Sequence, residues 1–442
     1  MSWNPIKSDK LKIMFRSLQY RNYRLFFFGQ SLSLIGTWMQ RIALPWLVYH
    51  MTGSVFLLGV VGFVGQIPTL LLAPVAGVLT DHWSRYRVLL ISQVISMFQA
   101  FILAYLGLTE IIQIWQIIAL SLVLGCINAF DTPARHSFVI DMVEKKEHLG
   151  NAIALNSMMF NGARIIGPSI AGVVLASAGE GICFLINALS YVFVIASLLM
   201  MRIQRRDVMK KETHILKDLN EGFKYTFGFP PIKHLILLLA LANMMGMSYT
   251  VLMPVFAKEI LHGGSHTYGF LMAAAGCGAL AGALFLASRE SVLTLGRLVP
   301  AAAIFFGTGL VALSFTGVFT VAVVLLVIIG LGMMLQTSSS NTIIQTITDD
   351  DKRGRVMSFY TMAVMGTSPI GNLLAGVLAR IIGTPMTILF SGISCIIGAL
   401  FFLKKLPELK ASVHPVYVKM GIIPEVAEGI QSASEPSAKI EL

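Results

Sequence analysis

Four ionisable side chains stand inside long apolar segments of this 442-residue sequence. Arg41 and Arg164 lie deepest in their segments, and Asp131 and Arg135 lie one helical turn apart in a third. An ionisable group in such a place should face protein or a water-filled cavity, because a charge is costly in hydrocarbon. We therefore expect Arg41 and Arg164 to serve a binding site, and Asp131 and Arg135 to act at a gate or an interface.

Uncharged polar side chains accompany these residues at helical spacing. Steps of three and four residues place them on one face of each helix, and these faces would line one aqueous cavity. Trp38 and Trp46 add apolar surface that suits bulky amphiphiles. The alternative is that each face only forms hydrogen bonds between helices. The residues predicted to line the cavity are Gln30, Ser33, Thr37, Arg41, Asn128, Asn161, Arg164, Thr361, Ser368 and Asn372.

The sequence carries no pattern of covalent catalysis. It lacks clustered histidine metal ligands, Walker phosphate loops, a Gly-x-Ser-x-Gly motif and paired Cys-x-x-Cys motifs. Its four cysteines fall within apolar segments without metal-type spacing, so we expect them to pack. We therefore expect neither an enzyme nor an ATP-driven pump, no cofactor and no metal, and an ion gradient as the energy source.

The elements that must position these side chains are membrane helices. Hydrophobic residues make up 56% of the sequence and charged residues 12%, whereas a soluble domain usually carries about 25% charged residues. A helix of about 20 apolar residues crosses the hydrocarbon core of a bilayer. We predict an all-α membrane protein of twelve helices. The predicted spans are 24–49, 56–80, 87–108, 112–131, 150–177, 181–201, 233–258, 267–288, 297–316, 318–341, 355–379 and 384–403.

The basic residues occupy alternate loops. The net charge of +11 comes mainly from lysine and arginine before the first span and after the even-numbered spans. The positive-inside rule then places both termini in the cytoplasm of a protein that crosses the cell membrane many times. Because this distribution accounts for the basic charge as topology, we do not expect nucleic acid as a partner.

The sequence repeats itself at the scale of half its length. Ile-Gly-Pro-Ser-Ile-Ala-Gly-Val at 166–173 is echoed about 204 residues later by Ile-Gly-Asn-Leu-Leu-Ala-Gly-Val at 370–377. Two similar membrane halves that rock about a central site are typical of transporters. The predicted parts are a cytoplasmic N-terminal segment (1–23), a first six-helix half (24–201), a cytoplasmic linker with an amphipathic helix (202–232), a second six-helix half (233–405) and a mobile cytoplasmic tail (406–442).

The loop between the second and third spans runs Gly-Val-Leu-Thr-Asp-His-Trp-Ser-Arg-Tyr-Arg from Gly77 to Arg87. It resembles the signature loop of the major facilitator superfamily. Gly77, Asp81 and Arg85 match that pattern and Arg87 supplies a further base, whereas positions 82, 84 and 86 differ from it. We expect Asp81 to form a switchable ion pair with nearby arginines or a helix end. The alternative is that the arginines only enforce topology.

Two further motifs resemble the exporter branch of that superfamily, which includes enterobactin (siderophore) exporters and macrolide efflux pumps. They are Asp-x-Pro-Ala-Arg at 131–135 and Arg-x-x-Gly-Pro at 164–168. Gly167 and Pro168, with Gly172, also resemble the fifth-helix motif of antiporters. A proline removes one backbone hydrogen bond and glycines permit close packing, so we expect a bendable fifth helix. Simple helix packing is the alternative.

The resemblance implies a secondary transporter of the major facilitator fold that acts as a monomer. It would export a small amphiphilic molecule, such as a siderophore, a macrolide or another drug, by alternating access with protons as counter-ion. The fourth span lacks the arginine common in proton-coupled drug pumps. Alternatives are a lysophospholipid translocator and a non-transporting membrane sensor on the same scaffold. The residues expected to switch or gate are Gly77, Asp81, Arg85, Arg87, Asp131, Arg135, Gly167 and Pro168.

Overall fold

The structure is a computed structural model that describes residues 15–202, 215–289, 292–349 and 352–420. Within these ranges the regular structure is helical, without strands. The side chains of residues 73–82, which include Gly77 and Asp81, lie outside the described part.

Twelve helices, α1 to α12, have the length that a bilayer core requires. In the described ranges, ten stretches are long and apolar enough to cross a membrane. One of them, Leu149–Leu199, is broken at Gly179 and supplies two helices, which makes eleven. The twelfth is α1, which has the length of a span but a more polar composition. Gly179 has a φ of 79°, which glycine tolerates and which breaks the helix there. The helices are α1 Arg21–Thr52, α2 Val55–His82, α3 Arg85–Leu108, α4 Ile114–Asp141, α5 149–178, α6 180–199, α7 Pro230–Ile260, α8 Ser265–Ala287, α9 Leu295–Ser314, α10 Phe319–Ile347, α11 Arg353–Ile382 and α12 Thr384–Lys419.

The helices form two six-helix halves, α1–α6 and α7–α12. In the first half α1 and α3 pack along α6 and α2 packs on α4, while in the second half α9 packs between α10 and α12. We call the membrane face that bears the chain between α6 and α7 the linker face, and the opposite one the distal face. The distal face holds the turn at Gly179 and the connections after α1, α3, α7, α9 and α11.

The two halves share one cluster of buried apolar residues near the distal face and have separate clusters near the linker face. Towards the distal face and the centre, one cluster of buried residues takes members from both halves, including Tyr49 of α1 and Phe256 of α7. Towards the linker face each half has its own cluster, one around Phe138 in the first half and one around Ile344 in the second. The halves are therefore joined at the distal face and separate towards the linker face.

Two helix pairs carry most of the contact between the halves, α2 with α11 and α5 with α8. Each pair meets at two glycines. A Cβ added to Gly376 would lie 2.9 Å from the Cα of Gly59, and one added to Gly172 would lie 3.1 Å from the Cα of Gly269. Gly172 and Gly376 are equivalent positions of the sequence repeat, so the repeat marks the two places where backbones of opposite halves touch.

The chain between α6 and α7 contains a helix, Ile215–Gly228, which we call the linker helix. Its Glu221 forms an ion pair with Arg355 at the start of α11, with 2.7 Å between Oε2 and Nη1. Its Tyr225 hydroxyl donates a hydrogen bond to Asp349 at 3.2 Å. These contacts attach the linker helix to the second half.

The last helix is longer than its predicted span. α12 continues to Lys419, past the boundary at 405 that we placed from the sequence. Leu406, Leu409 and Val413 are each exposed by 9% or less and belong to the core of the second half. The predicted tail therefore begins as a packed helix, because these apolar residues recur at three- and four-residue steps. Residues 421–442 lie outside the described part.

Candidate functional site

The predicted cavity residues that meet most clearly surround Trp38 on α1. The guanidinium carbon of Arg41 lies 4.9 Å from the centre of the Trp38 ring, and that of Arg164 on α5 lies 5.9 Å from it. Phe160 of α5 contacts the same ring edge-on, with centroids 5.8 Å apart. Both guanidiniums are within cation–π range of one indole. Two cations and two aromatic rings thus form one group, which we call the Trp38 cluster.

Helix packing brings α1 and α5 together at this point. Gly167 lies so close to Trp38 that a Cβ on the glycine would collide with the Cβ of the tryptophan. Pro168 follows it and is buried inside α5. Gly167 therefore sets the approach of α5 to α1, and with it the position of Arg164 three residues earlier.

Arg41 opens into space inside the bundle. It is an exposed residue, while its chain neighbours Gln40 and Ile42 are buried. The lipid-facing side of α1 carries Phe28 and Leu32, which are 59% and 47% exposed. Leu32 stands nine residues before Arg41, so the two side chains project from opposite sides of the helix. The exposure of Arg41 is therefore to an internal cavity and not to lipid.

The cavity also touches the second half. Arg164 lies at the middle of α5, and its Nη2 approaches the sulfur of Met333 on α10 at 3.9 Å. On the same side of α5, Ser157 and Phe160 are exposed. A molecule bound at the Trp38 cluster would therefore lie between α1, α5 and α10, with contacts from both halves.

Asp131 and Arg135 form an ion pair within the first half. The Arg135 Nη2 lies 2.8 Å from the Asp131 Oδ2, one turn apart on α4. The other carboxylate oxygen accepts a hydrogen bond from Gln93 of α3 at 2.7 Å. Asp131 is only 4% exposed. The pair fixes α4 to α3, and its described partners do not cross to the other half.

At the loop between α2 and α3, the described ion pair is formed by Arg85 and not by Asp81. Arg85 Nη1 lies 3.2 Å from Oδ2 of Asp141 at the end of α4, and it donates to the backbone oxygen of Ser137 at 3.4 Å. Arg87 is exposed. Since the side chain of Asp81 is outside the described part, its ion pair stays a prediction.

The structure places the other predicted cavity residues at several depths. On α1, Gln30 and Ser33 are buried to 2% and 1% exposure, and the Thr37 hydroxyl donates to the Ser33 carbonyl at 2.9 Å. Asn128 is half-buried. The Asn161 amide donates to the Ser157 carbonyl at 2.9 Å. Thr37 and Asn161 therefore donate hydrogen bonds to backbone carbonyls of their own helices, and Gln30 and Ser33 are packed between helices.

On α11 the predicted face changes from exposed to buried along the helix. Thr361 is exposed, Ser368 is half-buried and Asn372 is 4% exposed. The Asn372 side chain packs against Gly62 of α2, where an added Cβ would lie 3.1 Å from its Nδ2. Asn372 therefore lies in the contact between the halves, while Thr361 is exposed nearer the linker end of α11.

Sequence reasoning missed the contacts that close the distal face. The Tyr49 hydroxyl of α1 donates to Oε1 of Glu259 on α7 at 2.6 Å. Trp46 stacks on Tyr268 of α8, with centroids 6.0 Å apart and an interplanar angle of 17°. We call these four residues the distal gate. An acidic residue at the end of an otherwise apolar span was the signal that could have found it.

Sequence comparison gives a family and several curated relatives. The sequence profile of the transmembrane secretion effector family matches residues 14–436. The chain is 28% identical to the staphyloferrin A transporter of Staphylococcus aureus, covering 88% of this chain and 97% of that protein. It is 24% identical to the multidrug efflux pump Tap of Mycolicibacterium fortuitum, covering 85% and 93%. Macrolide efflux protein A of Streptococcus pyogenes is 22% identical, with 85% and 94% covered.

Solved structures share the fold at low sequence identity. The crystal structure of a bacterial homolog of the human lysosomal transporter Spinster, inward-facing and unoccupied, superposes with a TM-score of 0.64 at 15% identity, covering 92% of this chain and 99% of that one. The POT family transporter PepTSo gives a TM-score of 0.68 at 12% identity, covering 89% and 99%. The predicted twelve-helix, two-half fold is confirmed.

Proposed function

The chain belongs to the transmembrane secretion effector family of the major facilitator superfamily, and from this premise we propose that it exports small amphiphilic molecules across the bacterial cell membrane. The observation that carries the proposal is the Trp38 cluster in a cavity that is closed at the distal face. There one core and the distal gate unite the halves, whereas towards the linker face the cores are separate. A central site that is accessible from one face is what alternating access requires.

The charge distribution supports the orientation in the membrane that export requires. The positive-inside rule assigns the linker face, and with it both termini, to the cytoplasm. In this orientation the cavity opens to the cytoplasm, the side from which an exporter takes up its ligand. Parting of Tyr49 from Glu259 and of Trp46 from Tyr268 would release the ligand outside. The two glycine contacts between the halves would remain as pivots, because they contain backbone and no bulky side chain.

The substrate class follows from the lining and from the relatives. Trp38, Phe160 and Met333 offer aromatic and polarisable surface, which accommodates apolar bodies of different shapes. The relatives are a transporter of staphyloferrin A, a multidrug efflux pump and a macrolide efflux protein. We propose a siderophore or a drug-like amphiphile as substrate, protons as counter-ion and a monomer as the working unit.

Accumulation in cells tests the proposal. Efflux-deficient bacteria would express the protein or an empty vector, and cellular levels of the anion carboxyfluorescein, the cations rhodamine 6G and ethidium, and a labelled macrolide would be followed with and without a protonophore. We expect lower accumulation of at least one compound, reversed by the protonophore. Equal accumulation of these compounds, of siderophores and of lysophospholipids, with correctly inserted protein, would contradict transport and favour the membrane sensor.

A further inference from the structure

We propose that the Trp38 cluster binds an anionic group, a carboxylate or a phosphate, on the transported molecule. The inference rests on the proposed function, because it assigns a chemical class to the substrate of the same cavity. The two guanidiniums of Arg41 and Arg164 would hold the anion, and the rings of Trp38 and Phe160 would contact its apolar body.

The first observation is that the cluster lacks a counter-charge. The described ion pairs of the chain involve neither Arg41 nor Arg164. Asp131, the acid on the neighbouring α4, is occupied by Arg135 and Gln93. The cavity therefore holds positive charge that the described protein does not neutralise.

The second observation is that movement of the helices cannot easily supply an acid. The helices α1, α3, α5, α8, α9, α10 and α11 contain no aspartate or glutamate. The contact of Arg164 with the Met333 sulfur, at 3.9 Å, uses a weak acceptor and leaves the charge uncompensated. A charge inside a membrane protein is costly unless it is paired or serves a substrate. An anionic ligand provides the missing partner.

The third observation is the shape of the cluster. A guanidinium that lies over an indole keeps its edge N–H groups available, and these match the two oxygens of a carboxylate or phosphate. Arg41 and Arg164 approach the same ring from α1 and α5. An acid with one or more anionic groups beside an apolar body fits both parts of the cluster, whereas a cationic amphiphile would be repelled.

Binding to the purified protein in phosphatidylcholine nanodiscs tests the proposal, with energy transfer from tryptophan to dansyl as the signal. The probes are dansyl-glutamate, its uncharged dimethyl ester and the cation dansylcadaverine. We expect dansyl-glutamate to bind at least tenfold more tightly than the other two. Arg41→Gln and Arg164→Gln should each weaken its binding about tenfold and leave binding of the ester unchanged. Arg289→Gln is the matched control, because Arg289 also lies on an aromatic ring, 4.4 Å from Phe285, but outside the cavity.

A competition series distinguishes a soluble acid from a lipid headgroup. Lauroyl lysophosphatidic acid and uncharged monolaurin would be compared as competitors of dansyl-glutamate. Stronger displacement by the phosphate than by monolaurin supports an anion site that takes phospholipids, and displacement by citrate alone supports a soluble polycarboxylate. The proposal is overturned if no anion binds more tightly than its uncharged counterpart, a result that the wild-type protein gives whether or not the variants fold. Export of dyes or macrolides by a wild-type protein that shows no preference for anions would leave the proposed function standing and remove only the anion site.

Discussion

The two ends of the helix bundle are held together by different means. At the distal end the halves share one apolar core, two glycine contacts and the hydrogen bond of Tyr49 with Glu259. At the linker end the described ion pairs join residues of one half, as Arg85 with Asp141, or the linker helix with the second half. The closed end is therefore held by contacts between the halves, of which the distal gate would part during transport and the glycine contacts would stay as pivots, while the charges at the open end stabilise each half as a rigid body.

The largest effect is expected from filling a glycine contact between the halves. Gly376→Leu would force a side chain into the backbone of Gly59, which an added Cβ already approaches to 2.9 Å. We expect loss of distal closure and of transport, measured as dye accumulation. Gly162→Leu is the control, because a Cβ on Gly162 would meet no atom within 4 Å. Equal loss in both variants would show that the membrane helices simply do not tolerate leucine there.

The next effect concerns the ion pair inside the first half. Asp131→Ala would leave Arg135 without its partner and Gln93 without its acceptor, and breaking such a buried pair costs about 3–5 kcal/mol. The expected result is a lower thermal unfolding midpoint in detergent. Glu221→Gln is the comparison, because its pair with Arg355 is partly exposed and an exposed pair contributes about 0.2–1 kcal/mol. A similar decrease in both variants would contradict the assignment of Asp131 to the rigid interior of the half.

A smaller effect is expected from the distal gate. Tyr49→Phe removes a hydrogen bond to a carboxylate, worth about 1.5–3 kcal/mol, that joins the two halves in this distal-closed structure. The population should shift tenfold or more towards the distal-open state. Spin labels at Met51 and His262 in a cysteine-free background would report this as longer distances. Tyr86→Phe removes a hydroxyl that donates to Leu198 within the first half and should leave the distances unchanged.

Much of the fold could be predicted because its determinants are local. Runs of apolar residues gave the helices, and the repeat that contains Gly172 and Gly376 gave the two halves. The continuation of α12 beyond residue 405 was not predicted, because its apolar residues recur at helical steps among charged residues and prolines and form no continuous apolar run of the kind that marks a span. The π-helical turns at Ala242–Gly246 and Met362–Gly366 were not predicted either, because apolar periodicity does not distinguish a single π-turn from the α-helix around it.

The candidate site could be predicted in part, and the reason for the rest is geometric. Arg41 and Arg164 were found because charges in apolar helices are rare. Asn372 was assigned to the cavity because it shares a helix face with Thr361. The halves converge towards the distal face, so the same face is exposed at Thr361 and packs against α2 at Asn372. Periodicity gives the face of a helix but not the depth at which that face closes.

The glycine contacts lie much closer to the distal face than to the linker face, so a rotation of the halves about them would move the two ends by unequal distances. Gly376 lies six residues before the distal end of α11 and 23 residues after its linker end at Arg353. At 1.5 Å per residue these arms are about 9 Å and about 35 Å long. If the halves rotate about the glycine contacts, parting of the distal gate by a few ångströms would bring the linker ends together by roughly four times that distance. Loss of the Tyr49–Glu259 hydrogen bond at the distal end would thus accompany closure of the cavity at the linker face.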